Sequence, residues 1–355
     1  MKLIHCADIH LSSKINAHLT LEQSKILRDE IKLSFNKLLA YATTNNIHYI
    51  LLSGDVFDSD KPFKKDKDFF YEAIKYHQNI TFFYLRGNHD DDLNQQELPN
   101  LKCFGNEWKS YEIEDNVVIT GIELNNNQES LYASLNLDKN KINIVMLHGD
   151  IFSTGKDYID LKKLSGKNID YLALGHKHTY QQGKIDSRGV YVYPGCLEGR
   201  GFDETDEKGF ALITVNSLMV NASFVPFSLR KWLIEEFSLS DFHDAYEASR
   251  MVISKLKFNK NNLLRIVLKG EVDFDKDAVP ALLNNELKGE YFYFEIINQC
   301  QEKIDLLAYK NELSLRGEFV REVIADQTIN DEDKKQIIMM AFKALNNQEV
   351  VDETD

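Results

Sequence analysis

Asp8 and His10 stand two residues apart in Asp8-Ile9-His10, so both side chains project the same way from an extended segment. They open a series of polar clusters. Gly54-Asp55-Val56-Phe57-Asp58 follows, then Gly87-Asn88-His89-Asp90, His148-Gly149-Asp150 and Gly175-His176-Lys177-His178. Asp8, His10, Asp55, Asn88, His148, His176 and His178 offer carboxylate, amide and imidazole donors without sulfur, a set that suits Mn²⁺, Fe²⁺ or Zn²⁺ rather than a soft metal. With Asp55 as a bridge, these residues make two sites. Asp8, His10, Asp55 and His178 would hold one divalent ion, and Asp55, Asn88, His148 and His176 the other. Two ions about 4 Å apart would clamp phosphoryl oxygens and activate water for in-line attack. His89 is left over, free to protonate a departing oxygen as general acid. Asp58, three residues past Asp55, is expected to hydrogen-bond His89 and keep it charged. Arg86, Lys177 and Arg200 fall near these clusters and are candidates for phosphate contacts.

Single clusters of this kind arise by chance in loops. Their order, each after a strand-like segment, is what carries the reading. The other histidines, His5, His18, His48, His77 and His243, read as structural. Asp90, Asp91 and Asp92 read as solvated loop charges, and Asp150 as a possible orienting partner for His148. Phe57 and Phe202 fit either a core position or a wedge against nucleobases.

The elements that must position these residues are legible upstream of each cluster. Lys2–Cys6, His48–Leu52, Thr81–Leu85, Val117–Gly121, Asn143–Leu147 and Tyr171–Leu174 are short and almost wholly apolar, as strands buried on both faces are. In an open α/β sheet the C-terminal ends of such strands form the ligand crevice, so distant clusters would meet there. Leu21–Thr43 and Asp66–His77 read as helices; in the first, Ile31, Phe35, Leu38, Leu39 and Ala42 recur at helical spacing. After Gly183 the pattern changes. Tyr191–Tyr193, Phe210–Val215 and Leu218–Phe224 read as consecutive strands of a second, more antiparallel sheet. The expected class is α/β, a four-layer α/β/β/α sandwich over residues 1–229. A small α+β domain follows at 230–300, and a C-terminal helical tail at 301–355, with helices Leu313–Ala325 and Asp331–Leu345.

Net charge is −14, which disfavours a protein that simply coats nucleic acid, but not an enzyme with bound cations or a partner that grips DNA. Four scattered cysteines without a CxxC pair argue against a disulfide framework or zinc–thiolate site and fit a reducing cytoplasm. No stretch approaches the roughly 18 apolar residues of a membrane span, and the start is too soon interrupted for a signal peptide.

The cluster order DxH, GDxxD, GNHD, H and GHxH resembles the calcineurin-like metallophosphoesterase family at every element: Asp8/His10, Asp55/Asp58, Asn88/His89, His148 and His176/His178. The resemblance implies the ligand and acid roles given above. "KLIHCADIHLSS" and "LLSGDVFDSDKP" resemble the SbcD-type DNA repair nuclease subunits, and "YPGCLEGRGFDETDEKGF" (Tyr193–Phe210) resembles their YhaO-like bacterial branch. "SLRGEFVRE" resembles the tail of that branch. The resemblance implies a manganese-dependent DNA exo- or endonuclease, usually a homodimer working with an SMC-like coiled-coil ATPase of the SbcC/YhaN type. The 230–300 region would then cap DNA. The terminal helices would dock on the coiled coil through Phe319, Val323 and Ile324, or Ile337, Met340 and Phe342, unless they pack on their own domain. A small-molecule phosphodiesterase or phosphoprotein phosphatase is the alternative use of the same metals. A subunit with lapsed catalysis would have no need of His89.

Overall fold

The computed structural model describes the chain except residues 16–17, 60–61, 91–96, 124–127, 154, 156, 217–218, 304–305 and 346–355. Its first elements are β1 (Lys2–Cys6), α1 (Leu21–Thr44), β2 (Tyr49–Ser53), α2 (Lys64–Tyr76), β3 (Thr81–Leu85), β4 (Leu101–Cys103) and β5 (Lys109–Glu112). Then come β6 (Val117–Gly121), α3 (Gln128–Ser134), β7 (Ile142–His148), α4 (Leu161–Leu164), β8 (Tyr171–Gly175), β9 (Gln181–Lys184), β10 (Val190–Tyr193), β11 (Gly209–Val215) and β12 (Val220–Pro226). These strands form two six-stranded sheets. The first has the order β12-β11-β1-β2-β3-β4 and the second β5-β6-β7-β8-β10-β9. β1 to β4 run parallel, as do β6, β7, β8 and β10; β5, β9, β11 and β12 pair antiparallel with their neighbours.

Alternation along the strands makes four layers. Leu3, Leu51, Phe83 and Leu85 of the first sheet pack with Ile119, Ile144, Met146, Tyr171 and Ala173 of the second. Their neighbours Ile4, Ile50, Leu52 and Phe82 turn the other way, onto Phe35, Leu38 and Leu39 of α1 and Phe70 and Ile74 of α2. On the far side, Val145, Leu147, Leu172 and Leu174 meet Leu131 and Tyr132 of α3 and Leu164 of α4. Because successive side chains point to opposite faces, every inner strand must be apolar throughout, which is how these segments read. α1 starts at a capping box: Thr20 Oγ1 accepts from the Gln23 amide and Gln23 Oε1 from the Thr20 amide. Phe35 is fully buried and has Phe70 at 5.8 Å between ring centroids. Phe35→Ala is expected to cost about 3–5 kcal/mol, read from the urea unfolding midpoint.

The expected second sheet differs from the observed one. It begins at β5, far upstream of Gly183, and β10 joins it parallel to β8. β11 and β12 instead extend the first sheet, with β11 antiparallel on the free edge of β1. A strand apolar on both faces looks the same in sequence whichever sheet it joins. Leu218, expected as a strand start, lies outside the described residues.

Contacts group the chain into two compact units. The first holds Met1–Ile234 with Asn259–Arg265 and Tyr291–Phe294; the second holds Glu235–Phe258, Ile266–Glu290 and the residues from Glu295 on. The later elements are β13 (Trp232–Ser238), α5 (Ala245–Lys255), β14 (Leu263–Val272), α6 (Ala278–Leu287) and β15 (Tyr293–Glu302), and the three strands form one sheet in the order β13-β14-β15. α7 (Leu306–Lys310), α8 (Leu315–Ala325) and α9 (Asp331–Leu345) complete the described elements. Val320, Ile338 and Phe342 form their shared core, with Tyr309, Phe319, Val323 and Ile324 around it. The apolar residues considered for docking on a coiled coil are thus largely occupied with one another, while Met340 stays 41% exposed. Among the described residues no helix is long and apolar enough to cross a membrane.

Candidate metal centre

β1, β2 and β3 end at Asp8/His10, Asp55/Asp58 and Asn88/His89, all on the same edge of the first sheet. β7 and β8 bring His148 and His176/His178 to the matching edge of the second. Hydrogen bonds join the two edges at the centre. The His148 Nδ1 lies 2.9 Å from the Ser53 carbonyl, and the His176 amide donates to both Asp8 carboxylate oxygens at 3.0 Å. Asp8, His10, Asp55 and His176 have φ of 51°, 52°, 50° and 107°. Such values are costly for residues with a Cβ and mark a place where the surroundings hold the backbone for a purpose. The glycines beside the ligands have a steric reason. A Cβ on Gly54 would lie 2.2 Å from His148 Nδ1, and one on Gly175 would lie 1.9 Å from the Ser53 carbonyl oxygen.

Donor atoms of Asp8, His10 and His178 lie within 4.8 Å of one another, as do those of Asp8, Asp55 and His148. His148 Nε2 is 3.0 Å from Asn88 Oδ1 and 3.4 Å from Asp55 Oδ2. The His176 ring stands 5.5 Å from that of His148. All the ligands expected from sequence therefore converge. The donor chemistry fits divalent ions. His148 Nδ1 lies 2.9 Å from the Ser53 carbonyl and His178 Nδ1 2.8 Å from Glu204, which leaves Nε2 of each ring facing the centre, and His10 Nδ1 lies 2.9 Å from Asp58. His10 Nε2 and His178 Nε2 face each other at 3.1 Å, close enough for one cation to take both as ligands. A cavity of about 220 Å³ opens beside Asn88 and His148, bordered by Arg86, Glu123, Asn106 and Asp157.

Burial shapes the charges. It lifts the Asp8 carboxyl to about 7 and lowers the His10 imidazole to about 4. Burial also opposes ionisation of Asp55 and His148, but their mutual pairing wins, holding Asp55 below the usual carboxylate range and raising His148 to about 9. His89 is exposed, its ring 5.8 Å from that of His10, and its amide donates to Asp55 Oδ1 at 3.0 Å.

Asp58 has a different partner from the one expected. Its Oδ1 lies 2.9 Å from His10 Nδ1 and 2.9 Å from Arg200 Nη1, not on His89. The cause is local register: Leu11 bridges Phe57, and the Asp58 amide donates to the Leu11 carbonyl, which sets Asp58 against the His10 segment. The three basic candidates are all engaged by carboxylates. Arg86 donates twice to Glu123 at 2.8 and 2.5 Å, Lys177 pairs with Asp150 at 2.7 Å, and Arg200 with Asp58 and Glu204. Asp150 holds Lys177 and Ser153, and His148 is oriented instead by the Ser53 carbonyl. Asp90 is a structural anchor, not a solvated charge: it accepts from the amides of Gly87, Phe57 and Val56. Asp91 and Asp92 lie outside the described residues. Phe57 and Phe202 are 4% and 6% exposed and belong to the core.

Sequence reasoning missed Glu204 and Lys208. Glu204 Oε1 accepts from His178 Nδ1 at 2.8 Å, and Lys208 Nζ donates to the His178 carbonyl at 2.8 Å and to Asp206 at 2.6 Å. Both lie in the Tyr193–Phe210 segment, whose residue types carry a resemblance but no ligand spacing of their own. An acidic residue downstream of GHxH was the available signal.

A family model described as calcineurin-like phosphoesterase matches residues 1–180. The Bacillus subtilis (strain 168) protein named uncharacterized metallophosphoesterase YhaO is 26% identical over 260 residues, covering 63% of this chain and 60% of YhaO. The chain thus spans less than two thirds of that relative. The SbcD component of the SbcCD nuclease of Staphylococcus epidermidis (strain ATCC 12228 / FDA PCI 1200) is 24% identical over 321 residues, covering 76% of this chain and 79% of that protein. Among solved structures, the purple acid phosphatase PPD1 of yellow lupin (Lupinus luteus) is 12% identical at a TM-score of 0.41, covering 61% of this chain and 49% of that one. With the family match taking in 180 of 355 residues, the chain belongs to the calcineurin-like phosphoesterase family.

Proposed function

We propose that this metal-dependent phosphoester hydrolase cuts phosphodiester bonds in DNA, as the nuclease subunit of a repair complex with an SMC-like ATPase. The observation that carries the reading is extent. Likeness to a protein named as part of a nuclease takes in 76% of the chain, well beyond the 180 residues that the family model matches. A minimal phosphatase has no use for the second unit, which we assign to capping DNA. We assign the outward side of the terminal helices, where Met340 is exposed, to the ATPase. Net charge −14 is consistent with a subunit whose partner supplies much of the grip on DNA. The same reading places the chain in the cytoplasm as a homodimer.

In this mechanism Asp8, His10, Asp55 and His178 would hold one divalent ion, and Asp55, Asn88, His148 and His176 the other, with Mn²⁺ the metal we assign. Bound ions of this kind neutralise phosphoryl charge and lower the pKa of water. The chain does the rest. His89 donates a proton to the leaving oxygen. Asp58, whose charge also reaches His89, fixes the direction of His10. Arg86 and Lys177 flank the cavity and the His176–His178 turn, where their charge favours an anionic substrate.

The test is cleavage of end-labelled double- and single-stranded DNA with Mn²⁺, with and without chelator, beside a generic phosphodiester reporter. Cutting that chelator abolishes and Mn²⁺ restores is the expected result. Turnover of the reporter with DNA left intact, even when the ATPase partner is added, would replace the nuclease reading with a small-molecule phosphodiesterase.

A further inference from the structure

Arg200 stood out in the sequence as a phosphate contact, and its surroundings argue for another role. Its side chain is only 13% exposed. Nη1 donates to Asp58 Oδ1 at 2.9 Å and approaches Ser13 Oγ at 3.3 Å, Nη2 donates to Glu204 Oε1 at 3.0 Å, and Nε is buried without a partner among the described residues. The Arg200 amide also donates to Glu204 Oε2 at 2.9 Å, so backbone and side chain grip one carboxylate together. Of the three guanidinium nitrogens, Nη1 and Nη2 are held by these carboxylates, and Nε, though unpaired, is buried.

The two carboxylates it joins each lie against one imidazole, Glu204 as a hydrogen-bond partner of His178 and Asp58 as a close neighbour of His10. Asp58 lies 2.9 Å from His10 Nδ1, and Glu204 2.8 Å from His178 Nδ1. The Nε2 atoms of these two histidines then face each other at 3.1 Å. His10, Asp58, Arg200, Glu204 and His178 therefore form a closed ring, with the metal-facing gap on one side and the guanidinium on the opposite side. β1 and the turn after β2 supply one half, and the turn after β8 with the Tyr193–Phe210 segment the other. Arg200 also lies 2.9 Å from His178 Nδ1. With the Nδ1 proton given to Glu204, that approach is a neighbour contact and leaves Nε2 as the metal-facing lone pair.

We infer that Arg200 is a positioning residue of the first metal site. Through Asp58 and Glu204 it sets the separation of His10 Nε2 and His178 Nε2, and it is not a phosphate ligand. The inference rests on the metal centre but not on the identity of the substrate. A planar fork can bind two carboxylates at once, which the point charge of lysine does not reproduce. Without the fork, Asp58 and Glu204 repel, and each carries its histidine with it.

The experiment is calorimetric titration of Mn²⁺ into metal-stripped protein, without nucleic acid, for wild type, Arg200→Met, Arg200→Lys and Glu204→Gln. Inorganic phosphate is then titrated into each protein at saturating Mn²⁺. Loss of an orienting partner weakens metal binding about 10–100-fold, and that is expected in all three variants, with phosphate affinity kept within a few fold. If Arg200→Met does not fold, Arg200→Lys and Glu204→Gln decide by the same readout. Wild-type Mn²⁺ affinity in the Arg200 variants together with weakened phosphate binding would make Arg200 a substrate contact and overturn the inference. Wild-type Mn²⁺ affinity in Glu204→Gln would also overturn it, by breaking the ring without consequence. A failure to cut DNA would leave these results untouched.

Discussion

His89→Ala is expected to retain two metal ions per chain and lose DNA cleavage by about 10²–10⁴-fold, the range for removing a positioned general acid. The ligand donors surround the centre without the His89 ring, and what His89 gives to the metal cradle is its backbone amide, donated to Asp55 Oδ1. Alanine keeps that amide, so the metal count by atomic emission is expected to match wild type. The two substrates separate the chemistry further. A DNA leaving group departs as an alkoxide and needs the proton, whereas a nitrophenolate departs without it. The deficit is therefore expected to shrink sharply on a nitrophenyl phosphodiester. Equal losses on both substrates, or cleavage of DNA at the wild-type rate, would remove His89 from the acid's role.

Asp55→Ala is expected to do more, because the proposed division of ligands has one side chain serve both sites. Asp55 is 2% exposed; Oδ1 accepts from the His89 amide and Oδ2 lies 3.4 Å from His148 Nε2. Its removal takes away the carboxylate proposed to bridge the ions and the close anionic neighbour of His148. Fewer than two ions per chain are expected at Mn²⁺ concentrations that saturate wild type. Activity should fall further than the about 10–100-fold that loss of an orienting partner produces. Two ions bound at wild-type affinity would show that the sites do not share this residue.

That the proposed ligands would lie together was readable because each sits within a few residues of a segment whose apolar run announces a strand. α1 was readable because Ile31, Phe35, Leu38 and Leu39 keep helical spacing, and all are buried against the first sheet. The sheet to which a strand belongs was not, since that choice depends on partners far away in the chain. β11 pairs with β1 across more than two hundred residues, and nothing local in either segment records it. β5 (KSYE) and β9 (QQGK) escaped because they are short polar edge strands with no apolar pattern. Asp58 was assigned to His89 by closeness in role. A single bridge between Leu11 and Phe57 turned it to His10. Glu204 escaped for a similar reason, since its part is defined by the imidazole that folding brings to it.

The pairing of β1 with β11 also sets a schedule for folding. Lys2 to His5 find Thr214 to Ala211 as partners, and the amino terminus donates to the Val215 carbonyl at 2.8 Å. On the ribosome, at about 5–20 residues per second, that partner arrives roughly 10–40 s after the first strand. Until then β1 carries an apolar edge with unpaired amides, the kind of edge that recruits strands from other chains. Contacts this distant in sequence also slow the search for the native state. β1 is thus among the last strands to be secured, and a chain halted near residue 180, where the family match ends, would carry all the proposed metal ligands beside an unprotected edge.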